Sequence, residues 1–87
     1  MEGKTILIID DEKSIVDILK FNLEKEGYKT LIAYDADEAL EIVFSTSLDL
    51  ILLDVMLPKS DGFTVCKKIR QKLAVPINAY CKRRCSR

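Results

Sequence analysis

Acidic side chains follow two apolar runs of the 87-residue sequence and are its best candidates for chemistry. Asp10 and Asp11 come directly after residues 5–9, and Asp54 comes directly after residues 50–53. If the runs are neighbouring parallel strands, their carboxyl ends meet at one edge of a sheet and the three carboxylates converge. Such like charges repel one another, and a hard divalent cation such as Mg²⁺ relieves that repulsion. Because a carboxylate can accept a phosphoryl group beside a metal, the pattern favours phosphoryl transfer over a structural role in capping helices.

Several other kinds of site are excluded or disfavoured by residue type. The sequence has no histidine, which excludes His–metal sites and Ser-His-Asp triads. A nucleotide site needs a glycine-rich turn after the first strand, where Asp10-Asp11-Glu12 has the wrong charge. A Mg²⁺-dependent phosphatase with an Asp nucleophile needs a second Asp two residues after Asp54, and Met56 stands there. Cys81 and Cys85 alone are too few ligands for a zinc site.

Hydrophobic spacing predicts the elements that would position the three carboxylates. Strands are predicted at residues 5–9, 29–33 and 50–53, the second at an edge, and helices at residues 14–26, from Asp35, and from Phe63 to before Pro76. Ser14 with Asp17, and Asp35 with Glu38, have the spacing of helix capping boxes, and Gly27 stands where a helix ends. Alternating strands and helices predict an α/β fold with a parallel sheet and right-handed crossovers.

Charge is distributed unevenly along the chain. Residues 1–77 hold ten Lys and Arg against fourteen Asp and Glu, which gives −4, and four basic residues in the segment 82–87 bring the total to zero. Such a basic terminus can contact nucleic acid or anionic lipid, but it is more typical of a solvated chain end. No signal peptide precedes the first strand and no apolar run approaches the roughly 20 residues that span a bilayer, so we expect a cytoplasmic protein without a membrane partner.

In combination, these motifs resemble the receiver domain of two-component response regulators. The resemblance rests on residues 8–12, residues 48–58 and Asp61-Gly62, and it runs from Lys4 to about Ile77. The body is most similar to regulators that carry a winged-helix DNA-binding domain. The resemblance implies a flavodoxin-like receiver fold, here an incomplete doubly wound parallel sheet with three strand–helix pairs and a stub of a fourth strand.

The resemblance also implies roles for particular residues, a cofactor and a partner. By position, the phosphoacceptor would be Asp54; the Mg²⁺ ligands would be Asp10 (through water), Asp11, Asp54 and the backbone carbonyl of Met56; and the loop-shaping residues would be Pro58 and Gly62. The donor would be a phosphohistidine of a sensor histidine kinase, which fits the absence of histidine here. The chain would not be an enzyme beyond weak self-phosphorylation and dephosphorylation, and DNA would be bound only through an output domain outside this chain.

The resemblance ends after Ile77, which divides the chain into a partial receiver domain (residues 1–77) and a basic tail outside the family (residues 78–87). The switch Thr or Ser and the Lys that the family places after its fourth and fifth strands are absent. Codons that could encode residues 78–87, read one base later, permit Met-Leu-Thr-Ala-Lys-Glu-Asp-Val-Val, which is compatible with what the family pattern expects there. We therefore hypothesise a frameshift near Ile77, which sequencing of the gene would test.

A chain that stops there would leave the edge of the third strand open. Residues 50–53 would then expose backbone donors and acceptors, which favours self-association through that edge. Phosphorelay function would be impaired because the switch elements are missing. The alternative function is a phosphate-independent binding or dimerisation module, or a non-functional remnant, which would be indifferent to Mg²⁺ and to Asp54→Asn.

Overall fold

The structure is a computed structural model that describes residues 3–54, 62–71 and 75–80, with side chains at all of these except 62–65, 79 and 80. Strands and helices alternate along the described chain. They are β1 (Thr5–Ile9), α1 (Lys13–Lys25), β2 (Lys29–Ala33), α2 (Ala36–Ser45), β3 (Leu50–Asp54), α3 (Gly62–Arg70) and β4 (Ile77–Tyr80). The predicted α/β fold class is confirmed.

The strands form one parallel sheet in the order β2-β1-β3-β4. The predicted edge position of β2 is confirmed. β1 lies between β2 and β3, and four of its five residues are buried, as expected for a strand with helices on both faces. In the pairing of β1 with β3, Ile9 lies opposite Leu53, so the two strands end at the same level.

The fourth strand is more complete than the sequence indicates. All four residues of β4 pair with β3, from Ile77 opposite Ile51 to Tyr80 opposite Asp54. The predicted fourth strand is therefore present, the prediction of an open β3 edge is wrong, and self-association through that edge loses its structural basis. The physical reason is that backbone groups make the ladder, so β4 does not need a strongly apolar sequence to pair with β3, and Ile77 packs against the core.

The first helix begins one residue earlier than predicted. Glu12 is its N-cap and makes no side-chain capping hydrogen bond. The capping box predicted for Ser14 and Asp17 is wrong because Ser14 lies inside the helix. Asp17 instead forms an ion pair of 3.2 Å with Lys13, one turn back on the exposed surface.

The end of α1 at glycine is confirmed. Gly27 has φ +96°, in the left-handed region that suits glycine. Its N–H donates to the carbonyl of Glu24, and the N–H of Tyr28 donates to the carbonyl of Leu23. These two bonds are those of a Schellman motif, which satisfies the last carbonyls of the helix and turns the chain into β2.

The start of α2 is also confirmed, with one difference in its hydrogen bonds. The Asp35 carboxylate accepts the N–H of Glu38 at 2.8 Å, as predicted for an N-cap. The Glu38 carboxylate reaches back to the N–H of Tyr34 at 2.8 Å, one residue before the position that a capping box uses. The reciprocal bonds fix the direction in which the chain leaves β2.

The core lies between the sheet and the helices α2 and α3. Its fully or almost fully buried members are Leu7, Ile9, Ala33, Ala39, Val43, Leu48, Ile51, Leu53 and Ile69. Ile6 and Ile8 alternate with the β1 members of this set, so they face the other side of the sheet, where α1 buries Val16. Helices therefore cover both faces, as in a doubly wound sheet. No helix in the described part of the chain has the length and apolar character to cross a membrane.

Candidate functional site

The sheet register brings the predicted carboxylates to one edge. Asp54 is the last residue of β3, and Asp10 directly follows β1. Because Ile9 lies opposite Leu53, the residues after them, Asp10 and Asp54, come side by side at the carboxyl ends of the strands. This is the edge at which parallel α/β sheets bind ligands.

Oxygen atoms of Asp10, Asp11 and Asp54, one from each carboxylate, all lie within 4.8 Å of one another. The prediction that these three side chains converge is therefore confirmed. Asp10 and Asp54 are completely buried, whereas Asp11 is exposed. The cluster thus has a closed side formed by the sheet and an open side at Asp11, from which a ligand would enter.

Backbone hydrogen bonds hold Asp10 in place. Its carboxylate oxygen Oδ1 accepts the N–H of Glu12 at 2.9 Å, and its own N–H donates to the carbonyl of Ala33 at 3.1 Å. The first bond is the side-chain turn that Asp commonly makes with the residue two positions on, and the second extends the pairing of β1 with β2. Sequence analysis missed the role of Glu12. The available signal was an Asp two residues before the residue that caps the helix.

The donor set fits a magnesium ion. Carboxylate oxygens are hard ligands, which Mg²⁺ prefers, and it binds them at about 2.0–2.1 Å. Adjacent ligands of such an octahedral ion are then about 3 Å apart and opposite ones about 4.2 Å apart, so oxygens that lie within 4.8 Å of one another are near enough to share one ion when one of them binds through water. Asp10, Asp11 and Asp54 could therefore hold the ion, with water and phosphate oxygens at its remaining positions.

Of the other three predicted site residues, the structure describes only Gly62. Met56 and Pro58 lie outside the described residues. Gly62 is the first residue of α3, the next described element after β3. The roles of Met56 in metal binding and of Pro58 and Gly62 in shaping the loop stay predictions.

Comparison with known families and structures gives a consistent identification. The family model of the response regulator receiver domain matches residues 6–83, which is most of the chain and extends six residues past Ile77. A two-component response regulator from Clostridium difficile is 42% identical with a TM-score of 0.86, over 88% of this chain and 64% of that one.

Two further structures are similar and carry ligands or partners of their own. The response regulator TrrA from Thermotoga maritima, crystallised in complex with Mg²⁺-BeF, is 40% identical with a TM-score of 0.81, over 85% of this chain and 65% of that one. A structure of the histidine kinase ThkA in complex with TrrA matches with 38% identity and a TM-score of 0.86, over 91% of this chain and 69% of that one. The chain thus spans slightly less than two thirds of the length of the first two structures. With its carboxylate cluster at the edge of a parallel sheet, this chain belongs to the response regulator receiver domain family.

Proposed function

We propose that this chain is a phosphoacceptor in a two-component phosphorelay, with Asp54 as the acceptor and Mg²⁺ as the cofactor. The observation that carries the proposal is the convergence of Asp10, Asp11 and Asp54 within 4.8 Å at the carboxyl edge of the sheet. Family membership supports the same reading. The C. difficile relative is a two-component response regulator, and the Thermotoga relative was crystallised with Mg²⁺ and a beryllofluoride.

In this proposal each carboxylate has a distinct task. An oxygen of Asp54 attacks the phosphorus atom of the donor, and the phosphorus–nitrogen bond to the donor histidine breaks as the new phosphorus–oxygen bond forms. The electron pair of the broken bond stays on the histidine nitrogen. A bound Mg²⁺ supplies positive charge that offsets the negative charge of the phosphoryl oxygens and the acceptor. Asp10, fixed by the N–H of Glu12, and the exposed Asp11 hold the cation beside Asp54.

The burial of Asp54 limits the side from which a phosphoryl donor can approach it. Its side chain is completely buried, while Asp11 is exposed, so the donor reaches the site from the side of Asp11. The donor in this proposal is a phosphohistidine of a sensor histidine kinase. It is supported by the structure of ThkA in complex with TrrA, a relative of this chain.

Finer parts of the proposal concern the wider protein. We infer a cytoplasmic location and a transcriptional role for the parent, exerted through an output domain, and no catalytic activity beyond weak self-phosphorylation and dephosphorylation. We propose that transfer to this chain is slow and its output weak, because the sequence after Ile77 departs from the family pattern that supplies the switch hydroxyl and the partner Lys. Removing a positive charge that stabilises the transferring group typically slows such reactions.

The test is phosphorylation by acetyl phosphate, a small donor that needs no kinase. The chain is incubated with acetyl phosphate and Mg²⁺ and its intact mass is measured. We expect a gain of one phosphoryl group that is abolished by EDTA and by Asp54→Asn, while the surface variant Asp17→Asn keeps it. A chain that acts as a phosphate-independent binding module would show no adduct under any condition, and that result would overturn the proposal.

A further inference from the structure

The exposed face of α2 carries acidic and apolar side chains in one stripe. Asp37, Leu40, Glu41 and Phe44 are spaced at i, i+3, i+4 and i+7, so they lie on the same side of the helix. Together with two residues at the start of the helix they line a shallow concavity of about 550 Å³. This face is called the α2 stripe below, and none of its four residues belongs to the carboxylate cluster of Asp10, Asp11 and Asp54.

The acidic members of the α2 stripe make no side-chain bond that holds the described part of the fold, although Asp37 lies in the first turn of α2, where its charge is favourable to the helix dipole. The two other acids around the concavity, Asp35 and Glu38, cap the helix. By contrast, Asp37 and Glu41 form no side-chain hydrogen bond or ion pair with any residue that the structure describes. Like charges at i and i+4 destabilise a helix, so this pair opposes folding slightly unless a cation lies between or beside them.

The apolar members of the α2 stripe, Leu40 and Phe44, add a hydrophobic contact surface to the acidic one. Phe44 is 51% exposed, and Leu40 packs against the core on one side but is only partly buried. Aromatic side chains supply a large contact area at interfaces at a low entropic cost. A surface that interleaves acidic groups with an exposed aromatic ring fits an occupant with both cationic and apolar side chains.

The segment of the chain that holds α2 supplies no cation to this face, and the basic residues Lys67, Lys68 and Arg70 of the neighbouring helix α3 form no described ion pair with it. Residues 30–58 contain six Asp and Glu and no Lys or Arg. On α1 the situation is different, because Lys13 pairs with Asp17 and Lys20 pairs with Glu24 at the same i, i+4 spacing. The exposed acids of α1 thus have cations on their own helix, whereas those of the α2 stripe have none.

We propose that the α2 stripe is a docking surface for a basic amphipathic peptide segment of a protein partner. Lys or Arg side chains of the segment would pair with Asp37 and Glu41, while its apolar side chains would contact Leu40 and Phe44. Nucleic acid and anionic lipid are excluded as occupants because their phosphates would be repelled. The surface requires neither Mg²⁺ nor Asp54, so the proposal is independent of the phosphoacceptor function.

The test is fluorescence anisotropy with a labelled helical peptide of about 15 residues, long enough to form a helix on the surface. Its face carries Leu and Lys at helical spacing, and a control peptide has Glu in place of each Lys. We expect the Lys peptide to bind the full chain and the Glu peptide not to bind. The double variant Asp37→Asn, Glu41→Gln should weaken binding about three- to tenfold, the range expected when two exposed charge pairs are lost.

Matched variants separate a defined surface from general charge attraction. Asp17→Asn with Glu24→Gln removes the same charge from α1 and should leave the affinity unchanged, while Phe44→Ser should weaken binding without a change in net charge. Equal loss in the α1 and α2 double variants would overturn the proposal, as would unchanged binding in Phe44→Ser. It would also be overturned if the chain self-associated through the α2 stripe in sedimentation and bound no peptide, since the occupant would then be a second copy.

Discussion

Replacing the proposed acceptor carboxylate with an amide should make the metal-free chain more stable, although it removes one carboxylate of the proposed site. Asp54→Asn keeps the shape of the side chain and removes one of three clustered negative charges. Two unit charges 4.8 Å apart repel by about 3 kcal/mol at the effective dielectric constant of about 20 that suits protein sites. Asp54 takes part in two such pairs, with Asp10 and with Asp11.

The observed gain will be smaller than this repulsion. Water around the exposed Asp11 screens one of the two pairs, and the new amide must find hydrogen-bond partners in a buried position, which costs about 1–3 kcal/mol where it fails. We therefore expect Asp54→Asn to stabilise the chain in EDTA by about 1–2 kcal/mol. For a domain of this size that raises Tm by about 4–8 °C for each kcal/mol.

Magnesium should remove the difference. At ten times its Kd, a ligand that binds only the folded state stabilises it by about 1.4 kcal/mol. The wild type should gain this amount, and Asp54→Asn should gain little because one of its three anionic ligands is lost. The two proteins then unfold at similar temperatures in Mg²⁺.

The assay is thermal unfolding followed by circular dichroism in EDTA and across a Mg²⁺ titration. Asp17→Asn serves as the control because Asp17 is exposed on α1, where it pairs with Lys13, and this variant should respond to Mg²⁺ as the wild type does. The reasoning is refuted if Asp54→Asn is less stable than the wild type in EDTA and gains as much as the wild type from Mg²⁺.

Three further predictions concern the elements that support the site. Gly27→Ala should destabilise the chain by about 1–2 kcal/mol in urea unfolding, because a Cβ is strained at φ +96°; an unchanged midpoint would contradict the Schellman turn. Ile69→Ala should cost about 2–5 kcal/mol in the same assay because Ile69 is completely buried, and a cost below 1 kcal/mol would contradict its place in the core. Hydrogen bonds from the Lys20 ammonium and then from the Thr30 hydroxyl lower the pKa of Glu24 below its ordinary value of 4.5. Its contribution is therefore complete above pH 4.5 and is lost as the pH falls through the lowered folded-state pKa, so the stability difference from Glu24→Gln should shrink on acidification and stay constant between pH 6 and 8.

Much of the fold was predictable because the apolar residues of the segment 5–54 recur at the spacings typical of strands and helices. The apolar run of β1, followed by acidic residues, indicates a buried strand whose carboxyl end carries potential metal ligands. Gly27 indicates a helix end because glycine readily adopts a positive φ. The carboxylate cluster followed from topology alone, since the ends of parallel neighbours must meet.

Other features depended on interactions that sequence patterns do not show. Residues 78–80 have no strand-like apolar pattern, yet they pair with β3, because a neighbouring strand supplies the backbone partners. Ser14 and Asp17 have the spacing of a capping box, but the helix begins one residue before Ser14, at Lys13. Ser14 therefore lies inside the helix and cannot cap it. The burial of Asp10 and Asp54 beside an exposed Asp11 also required the assembled sheet.

The measurement that tests the central claim most directly is phosphoryl uptake at Asp54 as a function of Mg²⁺ concentration. The chain is incubated with acetyl phosphate, and the modified residue is located by tandem mass spectrometry after borohydride trapping of the acyl phosphate. We expect a single adduct at Asp54, with uptake half-maximal at the Mg²⁺ concentration that gives half of the thermal stabilisation. An adduct at another residue, or uptake that does not depend on Mg²⁺, would contradict it.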